Sequence, residues 1–138
     1  MTAVMPPDLE LWLCPYLRSL LDDVDGVRVA ARMPEDYDGA YPLVTIRDDG
    51  GGRDDFLRYD RSVAVNVTGW TRSRDRPCKD LARRVMALMT DEPVLQTASG
   101  SPVLAVDFDS CNGPYAITDD PPYAHYYMTV GLIVAGEY

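Results

Sequence analysis

The chain has 138 residues and a mass of 15.4 kDa, the size of one domain, read here as spanning 1–138. Hydrophobic residues make up 46% and charged residues 25%, which excludes wholesale disorder, and no apolar run approaches the roughly 18 residues of a membrane span. Thirteen Lys+Arg against 22 Asp+Glu give a net charge of −9, which argues against a duplex-DNA binder.

Charge is unevenly distributed. Arg72, Arg74, Arg76, Lys79, Arg83 and Arg84 stand close together, opposed only by Asp75 and Asp80. Beyond Arg84 no Lys or Arg occurs, whereas Asp91, Glu92, Asp107, Asp109, Asp119, Asp120 and Glu137 follow. One molecule can therefore present opposite charge on different surfaces. Residues 1–10 have no basic stretch ahead of an apolar core, so no signal peptide is expected. Cys14, Cys78 and Cys111 are odd in number and far apart, and the spacing predicts free thiols without metal.

In chain order, Leu9, Leu13, Tyr16, Leu17, Leu20, Leu21 and Val24 recur at helical spacing and predict a helix over 8–24. Asp8 is its expected N-cap, Pro15 its expected kink or restart, and Gly26 its stop. A short strand is predicted at 27–32, then an acidic, tyrosine-bearing loop, then a strand at 43–48. The segment Asp48-Asp49-Gly50-Gly51-Gly52-Arg53-Asp54-Asp55 reads as a polar hairpin turn without an apolar anchor. Alternation of Val63, Val65 and Val67 with polar residues predicts a strand over 56–70.

Leu81, Val85, Leu88 and Met89 give a second helix at 75–90, ended by Pro93, with Arg76, Lys79, Asp80, Arg83 and Arg84 outward. Strands follow at 103–109, with Leu104, Val106 and Phe108 inward, and at 126–135, with Met128, Val130, Leu132 and Val134 inward. The order α-β-β-β-α-β-β predicts an α+β fold, a mostly antiparallel sheet of about five strands with two helices packed on it. The other face of the last strand, with Tyr127, Thr129, Gly131 and Ile133, is weakly polar. Either a strand covered on both sides or a face shared with another subunit accounts for that.

No catalytic set emerges. His125 is the only histidine, no serine sits in a G-x-S-x-G elbow, and nothing in the spacing brings Cys111 to His125. Asp107 and Asp109 share a strand face, but Asn112 and Gly113 fall one step late for a calcium loop, and Thr118 stands where a bidentate acid belongs. Gly50-Gly51-Gly52 lies among aspartates and opens no helix, so it is no phosphate cradle. No cofactor or metal is expected. A small ligand-binding or enzyme domain using Asp107, Asp109 and His125 is the alternative class.

Several features together resemble the tail terminator proteins of long-tailed (siphovirus) bacteriophages, lambda-like and HK97-like, in particular those of actinobacterial phages. They are the amphipathic first helix, Val27-Arg28-Val29 before a proline-bearing loop, and Pro42-Leu43-Val44-Thr45-Ile46. The hairpin Asp49-Gly50-Gly51-Gly52-Arg53, the helix Lys79-Asp80-Leu81-Ala82-Arg83-Arg84, and the closing strand Tyr126-Tyr127-Met128-Thr129-Val130 complete them. Twelve Arg among thirteen basic residues and 18 Asp among 22 acids agree with a GC-rich host.

The resemblance implies a non-enzymatic virion protein at the head-proximal end of the tail, assembled in the host cytoplasm. It implies a homo-oligomeric ring, a hexamer, that ends the tube, contacts the major tail tube protein and a head-completion or connector protein, and passes DNA without specific binding. Other head-closure or tail-completion subunits are the nearest alternative. Two surfaces are expected to make contacts. Arg76, Lys79, Arg83 and Arg84 would meet Asp107, Asp109, Asp119 and Asp120 of a neighbouring subunit, and Asp49, Gly50, Gly51, Gly52, Arg53 and Asp54 would form a partner-contact loop.

Overall fold

A computed structural model describes residues 3–118 and 121–138. Its elements are α1 (Leu9–Leu20), β1 (Arg28–Ala30), β2 (Leu43–Asp48), β3 (Arg58–Gly69), α2 (Arg76–Met89), α3 (Glu92–Thr97), β4 (Val103–Ala116) and β5 (Ala124–Ala135). The strands form one sheet in the order β1-β2-β3-β5-β4. The short β1 runs parallel to β2 and every other pairing is antiparallel, so the fold is α+β as the element order predicts.

The pairing register puts Val29, Val44, Ile46, Val63, Val65, Val67, Met128, Val130, Leu132 and Val134 on one side of the sheet, and all are buried. They share one core with Leu9, Leu13 and Leu17 of α1, Leu81, Val85 and Met89 of α2, and Leu95 of α3. The helices therefore cover a single face of the sheet. β5 is central in the pairing, but its opposite face, with Tyr127, Thr129 and Ile133, stays half-exposed.

α1 is capped by Asp8, whose carboxylate accepts from Leu11 N–H at 3.2 Å, but it stops at Leu20, short of the predicted Val24. Leu21 N–H closes the last turn on the carbonyls of Leu17 and Arg18, and turns carry the chain on to β1. The helix runs through Pro15, which lies on its exposed side.

α2 ends at Met89, and Pro93 does not act as its stop. It opens a third helix, α3, where its missing N–H costs nothing. Side chains of α3 then close part of the free edge of β4: Gln96 Nε2 donates to Leu104 O at 2.6 Å, and Glu92 Oε2 accepts from Val106 N–H at 2.9 Å.

β4 departs most from expectation. It extends to Ala116, and its register against β5 shifts between Val103 and Ala105, between Asp107 and Asn112, and again before Tyr115. Each extra residue turns the following side chains to the other face. Val103 and Val106 are consequently the buried pair, while Leu104 and Phe108, predicted inward, are 41% and 60% exposed.

Candidate functional site

On α2, Leu81, Ala82 and Val85 face the core, which turns Arg76, Lys79, Asp80 and Arg83 outward. The Asp80 carboxylate is shared by Arg76 at 3.1 Å and Arg83 at 3.3 Å, spacings of four and three residues that place them on one ridge. Three cations against one acid leave this ridge with a net positive charge.

Arg84 differs from the other three. Its guanidinium makes a two-pronged bond to Asp23 and also donates to Leu20 O at 2.9 Å. Arg84, read from the sequence as outward, is half-buried and fastens α2 to the end of α1. The Arg84 hydrogen bond holds the Asp23 carboxyl below the usual carboxylate range.

Asp107 and Asp109 are exposed near the middle of β4, which carries no cation. Asp107 accepts from Ser110 Oγ at 2.8 Å and its carbonyl accepts the Cys111 thiol at 3.3 Å. Exposed Tyr115 and Ile117 follow on the same stretch. Asp119 and Asp120 lie outside the described residues.

The glycine segment is not the unanchored loop its composition predicts. Ser62 N–H donates to Gly50 O and Asp60 N–H to Gly52 O, both at 2.8 Å, so residues 49–52 prolong the β2–β3 pairing. Gly51 permits this approach, because a Cβ there would lie 2.3 Å from Asp60 O.

The true tip is the turn after Asp54. Asp55 Oδ1 accepts from the N–H groups of Leu57 and Arg58, and Arg53 donates to the carbonyl of Phe56. This holds Phe56 (69%) and Leu57 (50%) out in solvent. Gly136 N–H bonds Leu57 O, and Met5 pairs with Glu137, so Met5 and Tyr138 reach the same pole of the molecule. Sequence reasoning missed this apolar pole; the signal was the Phe56-Leu57 pair directly behind a run of aspartates.

The residues weighed for chemistry remain apart in role. His125 Nε2 lies 2.7 Å from Asn66 Oδ1 on the uncovered sheet face, while Cys111 bonds backbone. Burial pushes the Cys78 thiol up to about 12 and raises that of Cys14. All three cysteines are free. Among the described residues, no cluster of His, Cys, Asp or Glu could hold a metal ion, and no helix is long and apolar enough to cross a membrane.

No curated protein matches the chain significantly. The family described as phage tail termination protein matches residues 5–119, from the segment that pairs with Glu137, through both cationic and acidic surfaces, to just beyond the end of β4. With most of its length matched, the chain belongs to the phage tail termination protein family and is a structural component of the tail.

Proposed function

We propose that copies of this chain close into a ring, a hexamer as in the siphovirus terminators it resembles, which caps the tail tube, stops its growth and presents the surface that joins the head. The observation that carries this reading is the presence of two unlike surfaces on one chain. The ridge of Arg76, Lys79 and Arg83 is cationic, and the exposed stretch of β4 from Asp107 onward is acidic and apolar. A contact between unlike surfaces is heterologous, and heterologous contacts close into rings when the rotation per subunit allows.

In this reading Arg76, Lys79 and Arg83 face Asp107, Asp109, Asp119 and Asp120 of the next subunit. The apolar pole of Met5, Phe56, Leu57 and Tyr138 faces an axial partner, the tube protein or the head-completion protein. The net charge of −9 favours a channel that repels phosphate and lets DNA pass unbound. The role is structural, with no catalytic step.

Complementation of a terminator-deficient phage, with native mass spectrometry of the isolated caps, tests the reading. Tails of regular length carrying a closed oligomer are expected. Overlong tails despite expression of the chain would overturn termination, and a cap that remains monomeric would overturn the ring.

A further inference from the structure

Beside α2 runs an open groove of about 220 Å³, lined by Val24, Trp70, Pro77, Asp80, Leu81 and Arg84. Val24, Trp70, Pro77 and Leu81 make its apolar floor, and Asp80, which pairs with Arg76 and Arg83, stands at its margin. Trp70 is held there with a φ of 56°, a left-handed conformation that a bulky residue adopts only under constraint from its surroundings.

The opposite feature lies on β4. Gln96 and Glu92 of α3 occupy the edge at Leu104 and Val106, whereas residues 108–111 fall out of register with β5. There Phe108 is 60% exposed between Asp107 and Asp109, with no cation anywhere along the strand. An exposed aromatic ring flanked by acids on an edge strand is a surface suited to side-chain association.

We infer that this segment of a second copy docks in the groove, with Phe108 on the apolar floor between Trp70 and Pro77 and with Asp107 and Asp109 against Arg76 and Arg83. The inference rests on the ring reading above and identifies its contact. Charge selects the occupant: the cationic ridge matches a segment that has acids and lacks cations.

Charge also sets the direction of docking. Asp22, Asp23 and Asp25 flank Val24 in the chain, and Arg84 pairs with Asp23 there. The acids of the incoming strand are repelled from these aspartates and drawn to Arg76 and Arg83. A reversed approach places like charges together, which guards against wrongly oriented dimers.

The test uses the full-length protein assembled on tails and free in solution, with the variants Phe108→Asp, Arg83→Glu and Asp109→Arg and the double variant R83E/D109R. All three positions are exposed, so the isolated subunits are expected to keep the parent melting temperature. Phe108→Asp should weaken self-association at least roughly tenfold, from loss of a buried ring and burial of a charge. Each charge reversal alone should weaken it, and the double variant should regain most of the loss.

Assembly of the Phe108→Asp protein at parent strength, or failure of the double variant to recover, overturns the docking contact while a closed parent ring keeps the ring reading intact. A parent chain that never self-associates on tails overturns both. If Phe108→Asp proves unfolded, the reversal pair decides alone.

Discussion

Arg84 and Asp23, 61 residues apart in the chain, lie fork to fork, with Nη1–Oδ2 at 2.9 Å and Nη2–Oδ1 at 2.7 Å. Through this pair and the Leu20 carbonyl, the last turns of α2 are tied to the end of α1. The depressed Asp23 carboxyl contributes stability that is fully present above the unfolded value near pH 4 and is lost as the pH falls through its lowered native value. Arg84→Ala is expected to lower the melting temperature at pH 7, and Arg83→Ala to leave it unchanged. Asp23→Asn should flatten the acid limb of melting temperature against pH below about 4. Equal effects of the two arginine variants would contradict this assignment.

The alkaline limb has a different origin. Burial, followed by the hydrogen bond to Asp75 at 2.8 Å, pushes the Tyr126 hydroxyl up to about 12. A raised native value contributes stability that is complete below the unfolded value near 10 and disappears as the pH rises toward about 12. Tyr126→Phe should therefore show a shallower loss of stability between about pH 10 and 12 in urea titrations. An unchanged slope would count against it.

Two neighbouring glycines should behave oppositely. A methyl group at Gly51 meets Asp60 O, while at Gly52 nothing lies within 4 Å. Gly51→Ala is expected to cost roughly 1–3 kcal/mol in chemical denaturation, and Gly52→Ala less than about 0.5 kcal/mol. Comparable values for both would mean that residues 49–52 do not pair with β3.

At the hairpin tip, serine replacing both Phe56 and Leu57 should change subunit stability by less than about 0.5 kcal/mol, because neither side chain is in the core. The same variant is expected to lose tube capping or head attachment in complementation. Normal phage yield would show that the pole contacts no axial partner.

Lys79 is the only lysine, which makes it a selective chemical handle. Carbodiimide treatment of assembled caps should yield a covalent ladder in which a peptide containing Lys79 is joined to an acidic peptide from beyond Arg84. Lys79→Arg should remove that peptide. Mapping of Lys79 only to acids that precede it would reject the proposed partner surfaces.

Strong periodicity made several elements readable in advance. Alternating Val63, Val65 and Val67 placed β3 within two residues at each end, and the Leu81–Val85–Met89 stripe brought α2 within a residue at each end. Apart from the early end of α1, which is closed by local bonds, the departures involve long-range partners. Pro93 reads as a stop because only the strand it packs near reveals a helix start. Leu104 and Phe108 read as inward because nothing in residues 103–112 marks the extra residues that flip them. The glycine segment looks unanchored because its bonds are made by backbone groups of β3, to which composition is blind. At the candidate surfaces the charges were visible in the sequence, whereas the commitment of Arg84 to Asp23 was not.

The bonding of α3 to the edge of β4 bears on how copies of the chain meet. A long bare strand would let copies of the chain zip together indiscriminately through backbone bonds. With Gln96 and Glu92 bonded at Leu104 and Val106 and the register broken between Asp107 and Asn112, the edge offers a stray strand no long regular run to copy. Pairing is left to side chains that need a matching surface.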